Sequence, residues 1–538
     1  MRTFRLFILF LLSYSALVAQ DYPQDYLDRE FHKEKRQEVI EKLPENSVAV
    51  FFANPVRNRA NDVDYIYHQD PDFYYLTGNP EPNSMLILFS EPLNGTQEIL
   101  FVQPHNARQE LYNGARLGVE GAREKLGFEV VYENTEFDDF QLAFKDYDKV
   151  LFFQFQNDVR DGMFESGDLH DLINQFRFKA GIPQDYNGMI ASVYEEIRLV
   201  EPEEREALRQ RLSAYSERVP AFQQDEIIQN FINAEGSIEQ EKIVGNILPP
   251  KNNFDTQTLV EIMSDLREVK TQEEIDLLRK AVYISCMGQV EVMKAMHPGM
   301  SETEVQGIHE YVFKKYGTEY EGYPSIVGAG HNGCVLHYIK NNKLKVGDDL
   351  VLMDLGAEYR GYTADVTRTI PADGKFSPEE KAIYDLVLKA QEESFKICKP
   401  GEPIRATTEV SQKVIAEGLI ELGILEDASD VRRYFPHGVS HHIGLDVHDR
   451  GNYENFEKDM VLTVEPGIYI PEDSPCDPKW WGIAVRIEDD ILITEDGYEL
   501  LSVYAPRTTE DIEAMMAKPS IFENYELPAL DDAIPEGE

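Results

Sequence analysis

The sequence predicts an α+β fold, with a larger C-terminal domain over residues 266–518 and a smaller α/β domain over residues 20–265 before it. Three observations support this prediction. Apolar strand-like runs in the second half of the chain end in carboxylate residues, helix-start signals alternate with those runs, and one helical segment recurs 101 or 102 residues later. Together they predict helices and sheets arranged around a site built from acidic side chains.

The first 19 residues have the features of a secretory signal peptide. Arg2 and Arg5 precede the apolar run Leu6–Leu12, and small or apolar residues continue to Ala19. The apolar run is too short for a comfortable bilayer span, and no later stretch of the chain is long enough for one. We therefore expect cleavage after Ala19, no stable membrane insertion, and an exported protein that is periplasmic or secreted.

Residues 20–265 contain four strand-like runs separated by charged, helix-compatible stretches. The runs are Ser47–Phe52, Met85–Leu88, Ile99–Val102 and Val150–Phe153. Such alternation predicts an α/β domain. The sequence indicates no role for residues 157–255, and the segment Arg267–Lys270 marks the expected junction with the C-terminal domain.

Helix starts in the C-terminal domain carry the capping-box pattern, a hydroxyl residue followed three positions later by glutamate. The hydroxyl residues are Thr271, Ser301 and Ser377. Pro378 adds the preference for proline at the first helical position. The helical segment Ala281–Gly299 is echoed by Ala382–Gly401. Repetition at a fixed offset predicts two related halves that form one site between them.

Two aspartates flank a predicted hairpin. An apolar run ends in Asp354, and the chain returns from a turn to Asp365. With the turn centred between Tyr359 and Arg360, the aspartates face each other with Cβ atoms roughly 4.5–5.5 Å apart. Carboxylates that close need a shared proton or a cation between them. The alternative is a solvated acidic hairpin, in which Gly361 adds a bulge and shifts the register.

Histidines are concentrated between Phe435 and Asp449. This stretch, which is broken by two glycines, holds four of the twelve histidines of the chain. They are His437, His441, His442 and His448. A single histidine is more often a structural residue than a ligand, but this excess indicates a site.

Two further strand-like runs carry acidic residues. The run Val461–Val464 leads into Glu465, and period-2 alternation places Arg486, Glu488 and Asp490 on one face of the next run. A buried glutamate costs several kcal/mol unless it is paired, neutralised or bound to a metal. We interpret Asp354, Asp365, His441, Glu465 and Glu488 as the ligand set of a two-metal hydrolytic centre.

These motifs and their spacing resemble the pita-bread (creatinase/aminopeptidase-like) metallopeptidases of family M24B, specifically the Xaa-Pro branch that holds aminopeptidase P and prolidase. The segment Gln69–Gly78 is similar to the amino-terminal domain of the same enzymes. The resemblance implies a metal-dependent Xaa-Pro aminopeptidase, which hydrolyses the bond between an N-terminal residue and a following proline in peptides. It also implies a homo-oligomer, either a dimer or a tetramer.

The resemblance further implies how the ligands share two divalent ions. Asp354 would bind one ion, and His441 and Glu465 would bind the other. Asp365 and Glu488 would bridge both. Four carboxylates and one imidazole form an oxygen-rich site suited to Mn²⁺, with Zn²⁺, Co²⁺ or Fe²⁺ as alternatives.

The remaining implied roles concern catalysis and substrate binding. Glu465 would act as the general base that takes a proton from the attacking water. His337 and His448 would stabilise the tetrahedral intermediate. His437 and Arg486 would line a pocket for the proline ring, whose tertiary amide lacks an N–H group.

Two other functions stay open. Prolidase cleaves only Xaa-Pro dipeptides, and the segment Ala505–Glu513 resembles that enzyme, whereas His437–His441 is more similar to aminopeptidase P. A non-catalytic binding protein with this fold is the third possibility. Such relatives usually lack metal ligands, and none of the five is missing here.

Composition limits the partners. A net charge of −46 and a pI near 4.6 argue against a nucleic-acid partner, because phosphates require a basic face. Four cysteines are too few for a disulfide framework in 538 residues. Residues 519–538 are acidic and interrupted by proline, which predicts a terminal tail.

Overall fold

A six-stranded sheet forms the centre of the N-terminal region in the computed structural model, which describes residues 23–155, 166–234 and 236–523. Its strands are β1 (Ser47–Phe52), β4 (Met85–Leu93), β5 (Thr96–Val102), β6 (Val131–Glu133), β7 (Lys149–Phe152) and β8 (Phe254–Asp255). They lie in the order β6-β5-β4-β1-β7-β8, with β1, β4 and β5 antiparallel and the outer pairs parallel.

Short helices and a small hairpin complete this region. They are α1 (Arg29–Lys42), β2 (Asn58–Ala60), β3 (Val63–Asp64), α2 (Pro71–Thr77), α3 (Ala107–Asn113) and α4 (Gly118–Gly121). Both faces of the sheet are covered, and alternate residues of β1 enter different cores: Ala49 and Phe51 on one side, Val48 and Val50 on the other. This explains why β1 consists almost entirely of buried apolar residues.

Six helices lie between β7 and β8 in the described residues; the first packs against the sheet, and the other five form a separate small core. The six helices are α5 (Leu169–Ala180), α6 (Gly188–Leu199), α7 (Arg205–Ser216), α8 (Pro220–Gln224), α9 (Glu226–Asn233) and α10 (Ser237–Val244). Ile197, Leu212 and Phe231 are among the residues that pack in that core. Asp168 and Asp225 cap two of these helices by accepting backbone N–H groups. The stretch without a predicted role is therefore largely helical.

The catalytic region begins after α11 (Thr258–Glu268). Its helices are α12 (Gln272–Ala295), α13 (Glu302–Lys315), α14 (Pro378–Phe395), α15 (Ala406–Glu421) and α16 (Thr509–Met516). Its strands are β9 (Tyr320–Glu321), β10 (Ile326–Ala329), β11 (Leu350–Asp354), β12 (Ala357–Tyr359), β13 (Tyr362–Thr363), β14 (Thr367–Pro371), β15 (Val461–Val464), β16 (Gly467–Tyr469), β17 (Ala484–Arg486), β18 (Asp489–Ile493) and β19 (Tyr498–Leu500).

These elements form two similar halves. In the first half, α12 and α13 pack against each other and precede the sheets β10-β11-β14 and β13-β12-β9. In the second, α14 and α15 pair in the same way and precede β15-β18-β19 and β16-β17. Thr271 and Ser377 cap α12 and α14 with complete capping boxes. The α+β prediction, with an α/β region before the catalytic domain, is confirmed.

Several predictions concern residues at the boundaries. The signal peptide over residues 1–19 and the tail beyond residue 523 lie outside the described residues. The boundary at residue 265 stays a prediction, and Leu259, Met263 and Leu266 of α11 pack in the core beneath the N-terminal sheet. Across the described ranges, no helix is both long and apolar enough to cross a bilayer.

Candidate metal centre

The hairpin that precedes Asp365 has a different register from the predicted one. Tyr359 pairs with Tyr362, and Asp354 pairs with Thr367 rather than with Asp365. The turn consists of Arg360 and Gly361, which both have positive φ, at 55° and 87°. Positive φ at both central residues is typical of the two-residue turn that fits the twist of a hairpin. The prediction that the aspartates are directly opposed is therefore wrong by two positions.

The two aspartates nevertheless meet, at the hydroxyl of Tyr323. Its oxygen lies 2.5 Å from Oδ1 of Asp354 and 2.5 Å from Oδ1 of Asp365. One hydroxyl carries one hydrogen, so Tyr323 can donate fully to only one of these carboxylates at a time. Burial, followed by the charges of Glu488 and Asp354, raises the pKa of Asp365 well above its ordinary value. The two-residue shift in register has not separated the acids.

The histidine-rich segment lies beside strand β15. Glu465 donates its N–H to the carbonyl of Val439, and Thr463 donates to the carbonyl of His441. This backbone pairing holds His441 next to the end of β15, where Glu465 follows. The Nε2 atom of His441 lies 3.6 Å from an oxygen of Asp365, 3.7 Å from Glu465 and 4.0 Å from Glu488.

These distances suit ligands that share an ion. Ligand nitrogen and oxygen atoms stand roughly 2.0–2.2 Å from a bound zinc, so two ligands of one ion are farther apart than a hydrogen bond. The Nδ1 atom of His441 lies 3.1 Å from the carbonyl of His442, which fixes the hydrogen on Nδ1 and leaves the Nε2 lone pair facing the acids. Burial, reinforced by His448, lowers the pKa of His441 to about 4, so the ring stays neutral. The residues fit a divalent metal ion.

Three of the five predicted ligands form the tightest group. One ligand atom each from Asp365, His441 and Glu488 lie within 4.8 Å of one another. Glu465 lies beside them. Asp354 is held by Tyr323 and by the guanidinium of Arg486. The structure thus brings all five together, with Asp354 at one side of the group.

Glu488 is the most enclosed of these acids. It is 2% exposed and accepts a hydrogen bond of 2.6 Å from the Thr367 hydroxyl. Burial and the charge of Asp354 raise the pKa of Glu488 to about 8, while Arg486 opposes the shift. Burial and then Glu488 raise the pKa of Glu465 well above its ordinary value. The carboxylates lie close together, and the single positive charge of Arg486 does not compensate their mutual repulsion.

A cavity of about 480 Å³ opens above this group. All nine predicted site residues line it: His337, Asp354, Asp365, His437, His441, His448, Glu465, Arg486 and Glu488. Apolar side chains complete its wall, among them Ile326, Leu336 and Val447. An acidic floor and a partly apolar wall suit a peptide whose second residue has an apolar ring.

Tyr469 joins the two residues predicted for the proline pocket. Its hydroxyl lies 2.8 Å from Nε2 of His437 and accepts a hydrogen bond of 2.9 Å from Arg486. Neither Tyr469 nor Tyr323 was predicted from the sequence. Both follow a glycine within two residues, but neither carries a charge or a motif that marks it as part of a site.

The loop that carries His448 is anchored by buried ion pairs. We call Asp72, Arg267, Lys270, Asp446, Asp449 and Arg450 the support cluster. Arg267 contacts Asp72, Asp446 and Asp449, and Lys270 lies 2.9 Å from Asp449. Asp72 belongs to helix α2 of the N-terminal region. The His448 ring packs edge-to-face on His441, with centroids 4.4 Å apart. The support cluster therefore links the N-terminal region to the wall of the cavity.

Comparison with known proteins gives two family matches. Residues 276–495 match metallopeptidase family M24, and residues 32–152 match the aminopeptidase P N-terminal domain. The helices α5 to α10 lie outside both matched ranges.

Individual relatives cover almost the whole chain. An Xaa-Pro aminopeptidase of Escherichia coli is 33% identical over 504 residues, which cover 91% of this chain and 98% of the relative. The structure of aminopeptidase P from E. coli with the inhibitor Pro-Leu gives a TM-score of 0.71 at 32% identity, covering 91% of this chain and 98% of that one. A zinc-substituted form of the same enzyme, in complex with product, also gives 0.71, at 31% identity and the same coverage.

Proposed function

Because the chain belongs to the aminopeptidase P branch of metallopeptidase family M24, we propose that it hydrolyses the bond between an N-terminal residue and a following proline. One observation carries this proposal. Donor atoms of Asp365, His441 and Glu488 converge at the floor of a cavity that all nine predicted site residues line. Metallopeptidases of this family use divalent ions, and four acids with one neutral imidazole form a suitable ligand set.

We propose that Asp354, Asp365, His441, Glu465 and Glu488 would together hold two divalent ions, with Asp354 in the half of the site away from His441 and Glu465 and with Asp365 and Glu488 between them. When bound, such ions supply Lewis acidity and lower the pKa of a water between them. They also neutralise the repulsion that raises the pKa values of Asp365 and Glu465. We favour Mn²⁺ because the ligands are mostly oxygen, with Zn²⁺, Co²⁺ and Fe²⁺ as alternatives.

The side chains around the acids then act on the peptide. Glu465 takes a proton from the attacking water and passes it toward the leaving nitrogen of proline. His337 and His448, which line the same cavity, hold the scissile carbonyl. His437 and Arg486, joined through Tyr469, form the wall against which the proline ring packs.

Two peptides test this proposal. Protein treated with a chelator and then reloaded with Mn²⁺ should release glycine from Gly-Pro-Pro and cleave Gly-Pro far more slowly. The reverse preference would identify a prolidase, and metal binding without cleavage of either peptide would indicate a binding protein. Reloading with Zn²⁺, Co²⁺ or Fe²⁺ in parallel tests the choice of manganese, which is wrong if another ion gives the higher kcat/KM.

We also propose that the protein is exported and acts as a homo-oligomer. The basic and apolar leader supports export, since Arg2 and Arg5 precede the run Leu6–Leu12. Mass spectrometry of protein recovered from its own cells should give a chain that begins at Gln20, outside the cytoplasm. Light scattering of that protein should give the mass of a dimer or a tetramer.

A further inference from the structure

Two buried glutamines occupy matching positions in the two halves of the catalytic region. Gln289 lies within α12 and Gln391 within α14, and both are 0% exposed. Their separation of 391 − 289 = 102 residues equals the repeat offset read from the sequence. A buried amide costs free energy unless its polar atoms find partners, so the contacts of these side chains indicate why they are there.

Gln289 bridges the backbone beside the first pair of acids. Its Nε2 donates to the carbonyl of Met353 at 3.1 Å and to the carbonyl of Val366 at 2.7 Å. Met353 directly precedes Asp354, and Val366 directly follows Asp365. One side chain therefore ties together the two segments that present these carboxylates.

Gln391 does the same beside the second pair. Its Nε2 donates to the carbonyl of Val464 at 2.9 Å and lies 3.2 Å from the carbonyl of Ile487. Those residues directly precede Glu465 and Glu488. The same nitrogen also contacts Asp489 at 2.9 Å, so its two hydrogens are shared among three acceptors. In each half, therefore, a buried glutamine amide joins the two backbone segments that carry the acids.

The location of the acids explains the need for such a device. Asp354 ends β11, Glu465 follows β15, and Glu488 lies between β17 and β18. At strand ends the ladder of backbone hydrogen bonds stops, and repulsion between the carboxylates pushes the segments apart. We propose that Gln289 and Gln391 are positioning residues that hold the two acids of each half at metal-binding separation.

This inference rests on the proposed function only in requiring that the acids bind divalent ions. Gln289→Met tests it, because methionine has a similar shape and cannot donate. Among the described residues, no donor contacts Oε1 of Gln289, so the substitution removes only the two bonds at issue. Gln391→Met is less clean, since Oε1 of Gln391 also accepts a bond of 3.0 Å from Arg507.

Calorimetric titration of the metal-free protein with Mn²⁺ is the measurement. We expect Gln289→Met and Gln391→Met each to weaken Mn²⁺ binding by about 10-fold or more, the usual cost of losing a group that orients metal ligands. Circular dichroism at the titration temperature should show both variants folded. Excess Mn²⁺ should restore peptide cleavage, which it would not do in a protein that had lost its structure.

Gln69→Met is the control for the general cost of losing a buried amide. It is the more severe change, because Oε1 of Gln69 also accepts hydrogen bonds from Asn54, Tyr67 and Asp70. Gln69 is also buried, and its Nε2 donates to two backbone carbonyls, of Asn79 at 3.0 Å and Glu81 at 2.9 Å, in the N-terminal region. It should lower the melting temperature and leave Mn²⁺ affinity unchanged.

Three results would overturn the inference. Wild-type affinity in both Gln289→Met and Gln391→Met would show that the acids hold their separation without the glutamines, while the proposed function stands. Equal losses of affinity in these variants and in Gln69→Met would show a general structural role. A wild-type protein that binds no Mn²⁺ or other divalent ion would remove the inference and the proposed function together.

Discussion

The protein holds two clusters of acids that are largely buried, with Asp446 as the exposed member, and the clusters differ in what neutralises them. In the support cluster, three aspartates face Arg267, Lys270 and Arg450. At the metal centre, four carboxylates share a single arginine, Arg486. Burial alone therefore does not mark a metal site.

The pKa values of two fully buried aspartates express this difference. Although burial opposes ionisation, Arg267 and Lys270 hold the pKa of Asp449 below its ordinary value. Burial, Glu488 and Asp354 raise the pKa of Asp365 well above its ordinary value. Asp449 is stable as an anion within the protein, whereas Asp365 requires a proton or a cation from solution.

Asp365→Asn should have the largest effect. We expect kcat/KM for Gly-Pro-Pro to fall by at least about 10³-fold, because a bridging ligand affects several kcal/mol of transition-state stabilisation. The metal-free variant should be at least as stable as wild type, since the substitution removes repulsion. Chemical denaturation of both metal-free proteins checks this, and a less stable variant would contradict the comparison.

Asp449→Asn should give the opposite pattern. The substitution leaves the buried Lys270 without its carboxylate partner and removes one of the three carboxylates around Arg267, and breaking a buried ion pair in this way typically costs about 3–5 kcal/mol of unfolding free energy. Mn²⁺ affinity should change little, because Asp449 is not a predicted ligand. Urea denaturation and calorimetry separate the two effects, and loss of metal binding with normal stability would refute the assignment of the clusters.

The pH dependence of stability sharpens the contrast. Burial and the charge of Asp354 raise the pKa of Glu488 from 4.5 to about 8 in the folded protein, so the folded state binds more protons between these values. The stability contributed by this proton is present below pH 4.5 and is lost as pH rises to about 8. Melting temperatures of metal-free wild type should fall more steeply over this range than those of Glu488→Gln. Parallel curves would contradict the prediction.

Arg450→Gln should have the smallest effect. The side chain of Arg450 is 30% exposed. In the variant, its partner Asp72 still forms an ion pair with the buried Arg267. We expect the free energy of unfolding to fall by less than about 1 kcal/mol, as for a partly solvated ion pair. Denaturation of this variant beside Asp449→Asn shows whether the interior of the support cluster matters more than its rim.

Sequence patterns predicted five candidate ligands that the structure brings to one cavity, because a carboxylate at the end of a buried strand has few structural explanations. Helix starts were equally readable, since the capping of Thr271 and Ser377 depends on local residues alone. The register of the hairpin could not be predicted from the sequence, because Arg360 adopts a positive φ that its residue type does not favour. Tyr323 and Tyr469 gain their roles only through contacts with distant segments.

The two-half construction of the centre also constrains how the polypeptide matures. Acids from the first half end at Asp365, and those from the second begin only at Glu465, about 100 residues later. A nascent chain that has emerged only through the first half holds two mutually repelling acids and none of the later ligands. Binding of the metal ions must therefore wait until translation is nearly complete. In a chain that crosses a membrane unfolded, the cation would come from the compartment of arrival.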